Sequence, residues 1–401
     1  MSRVAYLFER FPSFSQTFCY REVAELDRQG VKIDIYSIRK PHDEPAQDWD
    51  KKILERVHYL PEEAELTLGI DGELKKKELP KEIVDLAAEW GRRSDFLRLY
   101  QAIYVGSRLQ KSGVDHLHAH FAGMAARTAY WLNRFFSIPF SFTAHANDIF
   151  APTEFEISLE KLVGAARTVF VVSEYGANFL KDCFPQDAAK IHRVYNGLDL
   201  SKFKHADFSN PVPTIIAIGR LIGKKGFGDL VQACDLLKKR GRDFRCEIIG
   251  DGPLGDELCA RIAEFGLTTQ VSLAGPKTQR EIVERLASAR VFVLPSVVDP
   301  DGARDNLPTV IMEAMAAGLP VVSTAVGGIP EMVMHDETGF LVQPGDPMSL
   351  AAAIERVIVD LPLAKRLGQR GRERAEKLFS IEKNVRELRG LLVAALYERR
   401  N

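Results

Sequence analysis

The chain has 401 residues, too many for one compact core of ordinary size, so two domains of roughly 200 residues each are expected. With 46% hydrophobic and 27% charged residues it belongs with globular proteins, outside the disordered and fibrous classes. The net charge is −1, and Lys+Arg against Asp+Glu runs 26 to 29 over residues 1–200 and 28 to 26 beyond, which leaves no basic half for nucleic acid.

Short β-branched runs alternate with helical patterns along the first half. VAYLF (4–8), KIDIYSI (32–38), DHLHAHF (115–121), PFSFTAH (139–145) and TVFVVSE (168–174) read as strands. That alternation is the pattern of a parallel sheet covered on both faces. Residues 62–82, dense in Glu and Lys, read as an exposed insertion. The stretch 90–111 mixes Arg92, Arg93, Arg98, Arg108 and Lys111 with Trp90, Phe96, Leu97, Leu99 and Ile103. A helix packed on its own sheet is the favoured reading, and peripheral contact with the inner face of a membrane stays open.

The polar segment 196–213 separates this half from a second run of strands: PTIIAIGRL (213–221), CEIIGDG (246–252), VSLAG (271–275), VFVLPS (291–296), PVVST (320–324) and GFLVQ (339–343). The expected fold is α/β, two Rossmann-like doubly wound domains with a deep interdomain cleft and a C-terminal helix. Domain boundaries are placed at 1–198 and 213–379, with 199–212 as linker. Residues 380–401 form a terminal helix, with Ser380 as its N-cap and packing back on the first domain left open. No run approaches 18 apolar residues, and the apolar start at 4–8 is too short for a signal peptide. Five cysteines at 19, 183, 234, 246 and 259, with no Cys-x-x-Cys pair, suit a reducing compartment. A cytoplasmic protein is expected.

Three strand-to-helix turns of the second half carry the residues suited to chemistry. Gly219, Arg220, Gly223, Lys225 and Gly226 lie between a strand and an amphipathic helix, where backbone N–H groups and the helix dipole favour an anion and Arg220 and Lys225 complete a diphosphate clamp. The Walker A and Gly-x-Gly-x-x-Gly patterns are both absent. Gly250-Asp251-Gly252-Pro253 makes a second glycine turn. In the segment 299–318, Asp305 and Glu313 stand eight apart around Pro308, so both carboxylates can face a polyol while the N–H groups of Asn306, Leu307 and Thr309 point at the same ligand. His116, His118 and His120 share one face of a strand. Three imidazoles along a strand seldom converge on one ion, and no Cys or second His set is near in sequence, so no metal is expected. His120 is read as facing the pocket with His116 or His118 packed behind. Ser173 and Glu174 line the cleft or simply end a strand; both readings stay open.

Taken in order, Gly219-Arg220-Leu221, Lys225-Gly226, Gly250-Asp251-Gly252-Pro253, Asp305-x7-Glu313, Gly327-Gly328-Ile-Pro330-Glu331 and Gly339-Phe-Leu-Val resemble the retaining GT-B glycosyltransferases of family four. Phe11-Pro-Ser-Phe-Ser-Gln-Thr-Phe18, Asp115-His-Leu-His-Ala-His120 and Thr143-Ala-His145-Ala-Asn-Asp148-Ile-Phe150 resemble the branch that builds exopolysaccharides of the colanic-acid kind. The resemblance implies transfer of a hexose from a nucleotide-diphosphate sugar, UDP ahead of GDP, to a saccharide or lipid-linked hydroxyl, with retention and with neither cofactor nor metal. It assigns catalytic roles to His145, Arg220, Lys225 and Asp305. Donor binding falls to Gly219, Gly250, Gly252, Pro253, Lys277, Asn306, Leu307, Pro308, Thr309 and Glu313, the base lying near Pro276 and Lys277. Ser15, Gln16, Thr17 and His120 stand on the acceptor side. Two positions depart from the family pattern, which has Glu where this chain has Asp305 and often Glu at Gln16. A nucleotide-sugar epimerase or phosphorylase on the same architecture, or a non-catalytic sugar-nucleotide-binding protein, are the alternatives.

Overall fold

A computed structural model describes residues 3–397 apart from 43, 46, 77, 78, 91–94, 152 and 153. Two parallel sheets carry it. The first has seven strands: β1 (Val4–Arg10), β2 (Ile33–Arg39), β3 (Val57–Tyr59), β4 (His116–His120), β5 (Phe140–Ala144), β6 (Thr168–Val171) and β7 (Ile191–Arg193), in the order β3-β2-β1-β4-β5-β6-β7. The second has six: β8 (Thr214–Ile218), β9 (Arg245–Ile249), β10 (Val271–Leu273), β11 (Val291–Leu294), β12 (Val321–Thr324) and β13 (Gly339–Val342), in the order β10-β9-β8-β11-β12-β13. Strands β4, β5, β6, β11 and β12 are buried along their whole length, as strands covered by helices on both faces are.

In each sheet the strand order reverses once, between β1 and β4 and between β8 and β11. Ligands of open α/β sheets bind beyond the carboxyl ends of the strands at such a reversal. Strand endings therefore decide which residues can act: Phe11 to Thr17 after β1, His120 on β4, His145 after β5, Gly219 to Lys225 after β8, and Ser296 to Asp305 after β11.

The short edge strands β3 and β7 lie outside the strand runs expected from the sequence. The 62–82 insertion is also corrected: it holds helix Glu63–Lys76 and the start of helix Lys81–Trp90, with Leu66, Ile70 and Ile83 buried. Leu66 and Ile70, one helical turn apart, are enough to seat a helix whose other faces are charged. Helix Phe96–Ser112 buries Leu99 and Ile103 in the first-domain core, and Trp90 packs edge-on against Trp131. The apolar side of 90–111 is thus spent inside the domain; Arg92 and Arg93 lie outside the described residues.

The segment 199–212 is fastened rather than free. Phe203 is buried in the second-domain core, and the N–H groups of Ala206 and Asp207 donate to Ala317 and Ala287 (both 2.7 Å). Beside it, Leu198 bridges Ser380. From there helix Ile381–Tyr397 crosses to the first domain and packs on helix Thr17–Arg28. Val385 joins Tyr6, Phe8 and Phe11, while Leu388 and Leu392 cover Phe170 and Val194. Among the described residues no helix is long and apolar enough to cross a membrane.

Candidate active site between the two sheets

In the second domain the three turns after β8, β9 and β11 are packed backbone against backbone. Gly250 has φ +139°, and a Cβ there would stand 1.9 Å from the Gly219 carbonyl oxygen, so only glycine lets the first two turns approach. Gly327, at φ +56°, does the same for the third, where a Cβ would stand 2.1 Å from the Asp305 carbonyl oxygen. The glycine motifs hold the site's backbone in register.

This register brings Lys225 onto Asp305. Lys225 Nζ donates to both carboxylate oxygens (2.8 and 2.7 Å), and the Ser296 hydroxyl donates to Oδ2 (2.7 Å). Lys224 Nζ lies 3.8 Å from the same carboxylate. Asp305 is fully enclosed; burial opposes its charge, but Lys225, Lys224 and the two hydrogen bonds outweigh burial and hold its pKa below the usual carboxylate value. For Lys224 the balance is reversed: burial, joined by Lys225 and Arg220, outweighs Asp305 and lowers the ammonium. Arg220 is exposed, and its guanidinium makes no recorded hydrogen bond or salt bridge among the described residues. It is the free cation at the mouth of the site.

Pro308 is the N-cap of helix Thr309–Ala316, so Asn306 and Leu307 precede the helix and Thr309 opens it. Glu313, one turn further, is 4% exposed. Pro253 is exposed on the β9 turn and Lys277 is half-buried after β10.

In the first domain, three groups collect around His120. Its Nδ1 lies 3.2 Å from His145 Nε2 and 3.5 Å from Cys19 Sγ, and its Nε2 lies 3.2 Å from Glu22 Oε1. Burial works against charge on His120, but Cys19 and Glu22 outweigh it and push the pKa up to about 10. Burial also lifts the Cys19 thiol, so at neutral pH Glu22 is the charge partner. Burial, with His120 nearby, holds His145 well below the ordinary value and therefore neutral. Asp148 fixes the loop by accepting from the N–H groups of His145, Ala146 and Ala122. Phe18 and Phe121 flank the His145 ring at 4.7 and 4.3 Å.

Behind His120, both other histidines are packed. His116 Nε2 and His118 Nδ1 each lie 2.8 Å from the Ser141 hydroxyl, and His118 Nε2 lies 3.0 Å from Thr143 Oγ1. Although no Cys or second His set is near in sequence, the fold brings one close in space: ligand atoms of Cys19, His120 and His145 fall within 4.8 Å of one another, as do those of Glu22, His118 and His120. Either group could hold an ion in principle; sequence distance hid the convergence. Ser15 is exposed, and Gln16 and Thr17 are half-buried at the start of helix Thr17–Arg28.

The two halves meet directly. Arg21 Nη2 donates to Glu313 Oε1 (2.6 Å) and to Gln279 Oε1 (2.8 Å). Asn306 Nδ2 donates to the His145 carbonyl oxygen (2.6 Å), while its Oδ1 accepts from the Ser173 hydroxyl. Lys224 Nζ donates to Asn147 Oδ1 (2.8 Å). Glu331 accepts from the N–H groups of Glu174 and Tyr175 (2.8 and 2.7 Å) at a helix N-terminus, and from the Tyr195 hydroxyl (3.0 Å). Ser173 thus faces the cleft. Arg21, Lys224 and Ser296 were missed in the sequence: Lys224 lies inside the first glycine turn but was given no role, Arg21 and Ser296 sit in no site motif, and each acts only through a partner brought to it by the fold.

The description "Glycosyltransferase Family 4" matches residues 15–202, and "Glycosyl transferases group 1" matches 201–374. The chain is a glycosyltransferase built from a Glycosyltransferase Family 4 domain and a Glycosyl transferases group 1 domain. It is 29% identical over 411 residues to the putative colanic acid biosynthesis glycosyltransferase WcaL of Salmonella typhimurium, covering 97% of this chain and 99% of that one. It is 41% identical over 172 residues to the amylovoran biosynthesis glycosyltransferase AmsK of Erwinia amylovora, 42% of each chain. In fold it is similar to a glycosyltransferase from Rickettsia africae (TM-score 0.75, 18% identity, 99% of both chains) and to Anabaena Alr3699/HepE in complex with UDP (TM-score 0.71, 18% identity, 98% of this chain and 100% of that one). The chain is a GT-B enzyme that uses nucleotide-sugar donors.

Proposed function

We propose that this glycosyltransferase moves a hexose from a UDP-sugar to a hydroxyl of a saccharide or lipid-linked acceptor, with retention at the anomeric carbon and no divalent ion. The observation that carries the reading is the Lys225 ammonium held at 2.7 Å from the buried Asp305 carboxylate, at the reversal of the second sheet, with the adjacent Asn306 donating to the His145 carbonyl oxygen. Arg220 and Lys225 would neutralise the diphosphate as it departs, where a preorganised cation lowers the barrier most. Glu313 would take the ribose diol, Asp305 and Asn306 the sugar hydroxyls, and the glycine turns would admit the phosphates. The base would lie near Pro276 and Lys277, with Pro253 on the neighbouring glycine turn.

His145, uncharged and enclosed, suits a hydrogen bond to the sugar from the opposite wall. No carboxylate among the described residues stands free opposite Asp305 as a nucleophile, which favours attack on the face the phosphate leaves. The acceptor oxygen bonds to the anomeric carbon as the bond to phosphate breaks, and the acceptor proton passes to the departing phosphate oxygen. The two relatives named for exopolysaccharide synthesis support a saccharide acceptor, and the UDP complex of the Anabaena protein supports the nucleotide.

The test is a panel of UDP- and GDP-sugars offered to chelated protein with a saccharide acceptor, the product anomer read by NMR. Transfer from a UDP-hexose with the donor's configuration kept is expected. Loss of all transfer with EDTA, restored by magnesium, or an inverted product, would overturn it.

A further inference from the structure

The first domain contains a second polar cavity that the donor chemistry does not use. It measures about 220 Å³ and opens beyond the carboxyl ends of β1 and β2, against helix Phe96–Ser112. Arg10 and Arg39, the last residues of these strands, are paired in register, so two guanidinium groups stand side by side at its mouth. Lys40 and Arg98 add two more permanent cations to the lining, against the carboxylates Glu62 and Glu63. Within the lining four cations stand against two anions, a surplus that Glu44 and Glu9, outside the lining, reduce through Arg10 and Arg39.

Arg98 decides what that surplus means. It is 6% exposed, and among the described residues its Nε has no hydrogen-bond partner. The nearby acid, Asp95, lies 3.4 Å from Arg127 and is shared between the two guanidinium groups without a hydrogen bond to Arg98 Nε. A buried guanidinium N–H left without an acceptor costs stability that a bound anion would restore. Arg10 Nε is likewise buried without a partner, its Nη1 reaching Glu44 at 3.4 Å, and Arg39 Nη1 lies 3.5 Å from the Glu9 carboxylate. These ligating groups are half-made, with donors left over.

The cavity lies on the same sheet edge as the reaction site. Phe8 of β1 stacks on His120 with ring centroids 5.0 Å apart, and Glu44, which holds Arg10, also accepts from the Phe14 N–H (2.6 Å) and the Ser13 hydroxyl (3.0 Å) in the loop leading to Ser15–Thr17. We infer that this cavity is an anion-binding subsite for the acceptor, taking a phosphate, diphosphate or carboxylate through Arg10, Arg39, Lys40 and Arg98. As an acceptor subsite it rests on the transferase reading above; as an anion site it does not. A lipid-linked acceptor brings a diphosphate and an acidic saccharide brings a carboxylate, and both present oxygens that guanidinium groups grip in pairs.

The experiment is calorimetric titration of full-length protein with inorganic pyrophosphate, glucuronate and uncharged glucose, first with saturating UDP and then without it. UDP binding, measured beforehand, reports on the donor site alone. The expected result is that UDP-loaded protein still binds pyrophosphate or glucuronate, that glucose binds at least tenfold more weakly, and that the double variant Arg39→Gln/Lys40→Gln loses tenfold or more for the anion with UDP affinity unchanged. Tighter pyrophosphate assigns the site to a diphosphate, tighter glucuronate to a sugar acid. Both substituted side chains are at the surface; Arg98→Lys, which keeps the charge, is a second variant expected to lose several-fold. Anion binding that disappears with UDP present, or that survives in Arg39→Gln/Lys40→Gln undiminished, would overturn the subsite. Failure of UDP to bind while the anion still does would instead remove the donor reading and leave this cavity standing.

Discussion

Arg21 of the first domain holds Glu313 of the second at 2.6 Å, with both side chains largely shielded from solvent. The carboxylate assigned to the donor ribose is therefore already engaged, and a donor must take Glu313 from Arg21 as it enters. This pair, with Asn306 on His145 and Glu331 on Tyr175, ties the lobes together.

Removing the competitor should tighten donor binding. Arg21→Ala is expected to lower the UDP dissociation constant on the order of fivefold, about 1 kcal/mol. Glu313→Gln should raise it about ten- to hundredfold, the loss usual for a hydrogen bond to a charged group. Calorimetry checks both, and weaker UDP binding by Arg21→Ala would show that the arginine helps to hold the donor.

Lys225 and Asp305 should fail asymmetrically. Lys225→Ala leaves a buried carboxylate with only Ser296 and Lys224 beside it, and should destabilise the unliganded protein by about 3–5 kcal/mol. Asp305→Asn keeps the shape and removes the charge, so it should cost less stability while still abolishing most turnover. Because Asp305 has a lowered pKa, its stabilising effect is present above the unfolded value of about 3.9 and is lost as pH falls through the folded one. Urea midpoints at pH 7 and pH 2 for the wild type and Asp305→Asn measure this.

The histidines set a wider pH dependence. His116, pushed down to about 3 by burial and Arg167, and His118 and His145, also lowered, are neutral when folded. The unfolded chain binds their protons below about pH 6.5, so stability falls as pH drops from there, by up to about 1.4 kcal/mol per pH unit for each histidine. His120 runs the other way. Its stabilisation is complete below about 6.5 and declines as pH rises toward its folded value of about 10. Stability should peak near neutrality, and His120→Gln should flatten chiefly the alkaline limb of a urea-midpoint profile, with a smaller change on the acid limb where His120 no longer lowers His118 and His145.

The terminal helix should couple the domains. Leu388 covers Phe170 and Val194, so Leu388→Ala is expected to cost about 2–5 kcal/mol and to lower the melting transition of the first domain. Calorimetric scanning checks this; an unchanged transition would mean the helix is only draped on the sheet.

Much of this was legible in the sequence because strands buried on both faces read as apolar runs and glycine turns read as punctuation. The Asp305 to Glu313 spacing placed both acids correctly, since one helix start fixes their relation. Arg21 was not legible: it lies 292 residues from Glu313, on a helix whose motif residues are its neighbours. The Cys19, His120 and His145 cluster was hidden for the same reason, being assembled from one helix and two strand ends. The helix at Glu63–Lys76 was missed because two buried side chains are too few to show a period among so many charges.

The central claim, that Lys225 and Glu313 grip a uridine diphosphate between the two sheets, is tested most directly by titrating UDP into the wild type, Lys225→Met and Glu313→Gln under chelating conditions. One equivalent of UDP should bind the wild type, with at least a tenfold loss in each variant whose fold is confirmed by circular dichroism. Equal affinity in all three proteins, or no UDP bound without an added metal, would contradict it.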